Sequence, residues 1–216
     1  MVIAIDGPSG VGKSTVAGRV AARLAVPHLD TGATYRAATL AALESGAAID
    51  DPAAIVAAVR RAVIAYVDGR VLLDGRDVTA AVRSEAVTTA VSAVAALPEV
   101  RALVVAMQRA WVVEHGGRAV VDGRDIGTVV FPDAAVKVFL TAHPEVRARR
   151  RAGDAETSGV SLGAVAADLA RRDHLDSTRP TSPLVAADDA AVIDTSELGI
   201  DEVVTEILVL AEAGEG

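Results

Sequence analysis

The chain contains no cysteine, which excludes disulfide bonds and thiolate metal sites. Aromatic residues make up only 2% of its 216 positions, while alanine accounts for about a fifth. That balance points to helices packed closely through small side chains. No run of about 18 apolar residues occurs, so no membrane span is expected. The first apolar strand begins at residue 2, which leaves no place for a signal peptide, and a cytoplasmic protein is expected. Positive charge is scarce as well. A net charge of −8 argues against a broad nucleic-acid surface, so any contact with a polyanion must be local and built from arginines in a cleft. Lysine occurs only at Lys13 and Lys137, against nineteen arginines. What the chain does have is an apolar content of 51%, which excludes a disordered chain, and length enough for one good-sized core with a smaller lobe.

One of the two lysines sits in the most informative segment. After the apolar run at 2–5 come Gly7, Pro8, Ser9, Gly10, Val11, Gly12, Lys13, Ser14 and Thr15, matching G-x-x-x-x-G-K-[ST] between a strand and a helix. The glycines let backbone N–H groups turn toward phosphate oxygens. Lys13 supplies a compact charge to the β/γ-phosphates, and Ser14 offers a hydroxyl to Mg²⁺. The helix that begins at Lys13 aims its positive dipole end at the same anion. These residues therefore predict a nucleoside triphosphate site with Mg²⁺ at Ser14, and leave open what is done with the triphosphate.

Helical spacing of Val16, Val20 and Leu24 gives a first helix ending near Pro27. A short apolar segment at 28–29 precedes a second helix, for which Thr31 is the expected N-cap. Strands are predicted at 119–121, 135–140 and 190–193, with helices at about 144–151 and 162–174 and an amphipathic helix at the C-terminal end. This alternation predicts an α/β fold with a P-loop NTPase-type parallel sheet core flanked by helices. The pattern breaks at 63–67 and 70–73, two short strands around Asp68-Gly69, which is a strong hairpin signal. We expect a small inserted antiparallel-sheet and helix lobe at 48–100, within a core formed by 1–47 and 101–216. A polar, glycine-flanked stretch follows Arg147, Arg149, Arg150 and Arg151. It fits an ordinary surface loop after a basic helix face, but beside a P-loop the favoured reading is a short lid at about 152–161.

The tetrapeptide Asp-Gly-Arg-Asp occurs at 74–77 and again at 122–125. The first reads as turn chemistry inside the insertion. The second follows a buried strand at its carboxyl end, where open α/β sheets bind ligands. Phosphoryl transfer also requires an acceptor site, and four segments offer arginines and acids for one: 30–36, 92–101, 122–128 and 171–179.

These segments, above all the run at 122–134 and Arg-Asp-His-Leu-Asp-Ser-Thr-Arg at 172–179, resemble the bacterial cytidylate (CMP/dCMP) kinase family over nearly the whole chain. The resemblance implies ATP as donor, CMP or dCMP as acceptor, Mg²⁺ as the ion and an inserted acceptor-binding lobe. By the same likeness, Arg36, Arg124 and Arg179 clamp the acceptor phosphate, with Arg172 nearby. Thr31, Ser92, Arg101 and Asp125 surround the cytosine ring, and Asp176 meets the sugar hydroxyls. Arg147, Arg150 and Arg151 resemble lid arginines, with Arg151 assigned to ATP and Lys13, Arg124 and Arg179 to the transfer itself. These roles suit the residue types, since a guanidinium fork binds phosphate oxygens in pairs and a carboxylate accepts from an exocyclic amine.

Each residue also has a plainer reading. Arg36 and Arg101 fit solvent-facing helix positions, Asp176 fits an i,i+4 pair with Arg172, and Asp125 fits a helix cap. His28, His115, His143 and His174 lack metal spacing and read as packing or solvent residues. Kinases for UMP, AMP or shikimate-like acceptors are disfavoured by the insertion and the 122–134 run. A GTPase switch would need an Asn-Lys-x-Asp reader, and neither lysine lies in one. The expected partners are small nucleotides, with no nucleic acid or membrane, acting on a monomer.

Overall fold

The computed structural model describes residues 1–67, 69–154, 157 and 159–213. The chain divides into two compact units, Met1–Leu29 with Trp111–Gly216, and Asp30–Ala110. The 48–100 segment lies inside the second.

The first unit is built on a five-stranded sheet in the order β2-β6-β1-β7-β8, from β1 (Val2–Asp6), β2 (His28–Asp30), β6 (Ala119–Gly123), β7 (Val136–Thr141) and β8 (Ala191–Asp194). Strand β1 pairs in parallel with β6 and β7, and β7 with β8. Ile3, Ala4 and Ile5 are fully buried, as expected for a central strand covered on both faces. Helix α1 (Lys13–Leu24) and helix α8 (Ile200–Ala213) contribute Val16, Val20, Val203, Val204 and Ile207 to one cluster with Ile3, Ile5, Val138 and Leu140. Helices α6 (Pro144–Ala152) and α7 (Leu162–Thr178) add a smaller cluster of Ala148, Val165 and Leu169. Ser161 caps α7 by accepting from the Ala164 amide at 3.3 Å.

The second unit carries α2 (Thr31–Glu44), α3 (Pro52–Arg61), α4 (Glu85–Ala95), most of α5 (Pro98–Glu114) and a three-stranded sheet of β3 (Ile64–Val67), β4 (Arg70–Leu73) and β5 (Arg76–Asp77) in that order. Its own core joins Tyr35, Ala38, Ala42, Ile55, Val59, Val91, Val94, Val100 and Val104. The helices meet largely through alanine and valine, as the shortage of aromatics requires. Helix α2 is capped by Asp30, whose carboxylate accepts from the Ala33 amide at 3.1 Å, so the expected cap at Thr31 is one residue late. Aspartate at 30 competes better for that place because Thr31 is already in the buried first turn.

Strands β3 (Ile64–Val67) and β4 (Arg70–Leu73) pair antiparallel, with Val67 opposite Arg70. Of the turn that joins them, Gly69 has φ of 76° and Asp68 lies outside the described residues. The first Asp-Gly-Arg-Asp makes the next turn. Asp74 and Gly75 have φ of 50° and 78°, and Leu73 pairs with Arg76 of β5 (Arg76–Asp77). Two left-handed residues between paired strands form the type I′ hairpin turn that Asp-Gly favours. The second copy follows a different course, ending β6 and entering a π-helical turn at Ile126–Val130.

Candidate functional site

In the first unit the glycine loop runs from the end of β1 to the start of α1 in a conformation that side chains would block. Gly7 has φ of 147°, and a Cβ there would lie 2.2 Å from the Leu140 carbonyl oxygen. Gly10 has φ of 83° and abuts Arg147, where a Cβ would lie 3.0 Å from its backbone oxygen. Lys13, buried at the first residue of α1, donates from Nζ to the Pro8 carbonyl at 2.6 Å across the loop. The lysine is therefore held over the loop while the positive end of α1 faces the same region.

Ser14, the next residue, donates its hydroxyl to Oδ2 of Asp122 at 2.9 Å. Asp122 stands in β6, is buried, and also bonds His28 Nε2 through Oδ1 at 2.7 Å. His28 is thus part of this polar group rather than a packing residue. No local pattern marks this contact, because 94 residues separate the pair. A hydroxyl and a buried carboxylate at this spacing are hard oxygen donors suited to Mg²⁺, which takes one or two protein oxygens together with water and phosphate. Among the described residues no group of three or more His, Cys, Asp or Glu side chains is placed to hold a metal by itself.

Several arginines of this unit are tied to the loop or to acids. Arg124 donates from Nη2 to Ser9 Oγ at 2.7 Å and from Nε to Asp176 Oδ2 at 2.9 Å. Asp176 thereby has a partner from outside its own helix, which the i,i+4 reading did not foresee. Arg147, buried on α6, donates to the Ser9 carbonyl at 3.3 Å and is paired with Asp173. Arg179 donates from Nε to the Ser182 carbonyl, and its Nη2 lies 3.7 Å from Asp125 Oδ1. Arg172, Asp176, Arg179 and Asp125 are all buried. Arg150 donates to Thr195 Oγ1 at 2.9 Å and to its carbonyl at 2.6 Å, whereas Arg151 reaches Asp154 at 2.8 Å. Of the expected lid, Ala155, Glu156 and Ser158 lie outside the described residues. Such guanidinium groups beside a P-loop can neutralise several phosphate oxygens at once.

Asp6 was not singled out by any motif. It ends β1, is buried, and accepts from the amides of Ile126 at 2.9 Å and Gly127 at 2.8 Å. Burial pushes its carboxyl up to about 6, against the lowering effect of those two amides. Its sequence signal is only that it precedes the first glycine of the loop.

In the second unit, Arg36 on α2 donates to the Val82 carbonyl at 3.1 Å and to Thr88 Oγ1 at 2.9 Å. Arg101 is buried, with its guanidinium 5.3 Å from the centre of the Tyr35 ring and a bond to the Ala95 carbonyl at 3.4 Å. Arg101 is therefore not a solvent-facing helix residue, and Arg36 is held in place by side-chain and backbone acceptors. Thr31 is buried in the first turn of α2, and its carbonyl accepts from Thr34 Oγ1 at 2.7 Å. Gln108 donates in turn to Thr34 Oγ1 at 2.9 Å. Ser92 lies half-buried on α4.

The sequence model of the family described as cytidylate kinase matches residues 3–213. A cytidylate kinase of Rhodococcus jostii is 53% identical over 224 residues, covering 100% of this chain and 96% of the relative. One from Nocardia farcinica is 53% identical over 213 residues, covering 96% and 91%. Among solved structures, a protein from Eubacterium ventriosum is similar with a TM-score of 0.57 at 13% identity, covering 99% of this chain and 98% of the other. That last likeness is one of fold alone.

Proposed function

Because the chain belongs to the cytidylate kinase family, we propose that it transfers the γ-phosphoryl group of ATP to CMP and dCMP, giving ADP with CDP or dCDP. The observation that supports this most is the environment of the P-loop. Lys13 is fixed across it, Ser14 is bonded to Asp122, and Arg124 joins Ser9 of the loop to Asp176. A guanidinium proposed for the acceptor thus bonds directly to the loop proposed for the donor.

In this reading Gly7, Pro8, Ser9, Gly10, Val11, Gly12, Lys13, Ser14 and Thr15 hold the ATP phosphates. Arg151 adds a contact to ATP, and Arg147 and Arg150 support it. Ser14 and Asp122 would hold Mg²⁺, which when bound offsets charge on the β- and γ-phosphates. Arg124 and Arg179, with Arg172 beside them, bind the acceptor phosphate. Asp125 accepts from the exocyclic amine of cytosine, and Asp176 meets the sugar hydroxyls. In the second unit Arg36 serves the phosphate, while Thr31, Ser92 and Arg101 serve the ring. The segment 48–100 is the inserted acceptor lobe and about 152–161 the lid.

No general base is assigned, since phosphoryl transfer of this type depends on alignment and charge stabilisation. Lys13, Arg124 and Arg179 do that work by presenting fixed positive charge where negative charge shifts between phosphates. The setting is pyrimidine nucleotide metabolism in the cytoplasm, by a monomer. Among the described residues no single helix is long and apolar enough to cross a membrane. Phosphorus NMR of a mixture of ATP, CMP and Mg²⁺ tests the reaction. ADP and CDP should appear in equal amounts, whereas release of inorganic phosphate without CDP would refute transfer.

A further inference from the structure

The turn at Ile126–Val130 begins directly after Asp125, which occupies its N-cap position. The leading N–H groups of such a turn have no partner within it and need an external acceptor. A cap aspartate ordinarily supplies one from its own carboxylate. Here the Asp125 side chain makes no cap bond. The acceptors come instead from Asp6, whose two oxygens take the Ile126 and Gly127 amides at 2.9 and 2.8 Å. Asp6 is 120 residues away in sequence from the first of these amides and adjoins Gly7 of the loop. Meanwhile Asp125, buried, has its Oδ1 3.7 Å from Arg179 Nη2.

We propose that Asp6 is a positioning residue that caps the 126–130 turn in place of Asp125, so that the Asp125 carboxylate is held for the acceptor nucleobase. Side chains such as aspartate compete for nearby backbone N–H groups, and a cap residue with nothing to stop it turns onto its own helix. Asp6 removes that competition by satisfying both amides. The same carboxylate fixes the start of the turn to the last residue of β1, and through it to the start of the glycine loop. A neutral amide cannot replace it, because Asn offers one accepting oxygen and would aim an NH₂ at the other N–H. The role of Asp125 at the nucleobase rests on the function proposed above; the capping role does not.

Two variants test this, Asp6→Asn and Asp125→Asn, with hydrogen exchange at the Ile126 and Gly127 amides and kinetics for both substrates. With Asp6 intact, Asp125→Asn should leave exchange at the two amides unchanged and lower kcat/KM for CMP. In Asp6→Asn the amides should exchange at least about tenfold faster. Its kcat/KM for CMP should fall by on the order of tenfold or more, while KM for ATP changes less than about threefold. Combining the two substitutions should cost little beyond Asp125→Asn alone, because they act on one element. Faster exchange in Asp125→Asn would mean that Asp125 is the cap and would overturn the proposal. So would equal losses for ATP and CMP, or additive losses in the double variant. If wild-type protein does not use CMP, the functional reading fails, but the exchange experiment needs no substrate and still decides the capping role. If Asp6→Asn does not fold, the Asp125→Asn exchange result decides it alone.

Discussion

Ser14 and Asp122, 108 residues apart, are joined by a 2.9 Å hydrogen bond from the serine hydroxyl to Oδ2. The pair places a hydroxyl from the first turn of α1 against a buried carboxylate of β6, at the carboxyl edge of a sheet where ligands bind in open α/β folds. If these oxygens hold Mg²⁺, their removal should raise the metal requirement more than the requirement for CMP. Asp122→Ala should raise the half-saturating Mg²⁺ concentration by on the order of tenfold at fixed ATP. A Mg²⁺ titration of activity that is unchanged by this substitution contradicts the assignment.

Lys13 is the only lysine near the loop, and its ammonium is already fixed to the Pro8 carbonyl at 2.6 Å. Removing a preorganised charge of this kind typically costs at least about 10²-fold in turnover. Lys13→Ala should therefore lower kcat by that order, as measured in a coupled assay of ADP release. A loss smaller than about fivefold would remove Lys13 from the transfer step.

Arg124 uses two different nitrogens for Ser9 and Asp176. A lysine has one nitrogen and no fork, so Arg124→Lys keeps the charge and loses the bridge. It should lower kcat/KM for CMP by about 10²-fold while circular dichroism remains that of the wild type. Equal kinetics for arginine and lysine would mean that charge alone matters at this position.

The pH dependence of stability should carry the mark of Asp6. Its carboxyl is pushed from 3.8 to about 6, chiefly by burial, with Asp125 raising it further and the two amides and Lys13 opposing the rise. A folded state that binds the proton more tightly than the unfolded chain is favoured below pH 4, and loses that advantage as the pH rises through 6. The difference in unfolding free energy between wild type and Asp6→Asn should shift against the wild type by on the order of 2–3 kcal/mol between pH 4 and pH 7. Denaturant titrations at the two pH values measure it. A shift of opposite sign would place the native carboxyl below its ordinary value.

Much of the fold was legible because periodicity and turn chemistry are local. Gly7, Gly10 and Gly12 marked the loop, and the two copies of Asp-Gly-Arg-Asp separated correctly into a turn at 74–77 and a strand end at 122–125. The apolar stripe of Val16 and Val20 marked α1. The misses are relationships over long sequence separation. Nothing local says that His28 meets Asp122, that Asp6 accepts from Ile126 and Gly127, or that Asp176 is bonded to Arg124 rather than read only against Arg172. For Arg101 the local pattern alone fits a solvent-facing helix position, and only the family resemblance sets it at the nucleobase. Its burial over Tyr35 depends on how α2 and α5 pack, which the one-dimensional pattern does not contain.

The assignment stands or falls on acceptor selectivity. With ATP and Mg²⁺ held constant, kcat/KM should be measured for CMP, dCMP, UMP, AMP and GMP on the wild-type protein. CMP and dCMP should exceed each of the others by at least about tenfold, since a carboxylate placed for an exocyclic amine penalises bases that lack it there. Comparable turnover of AMP or GMP would contradict it.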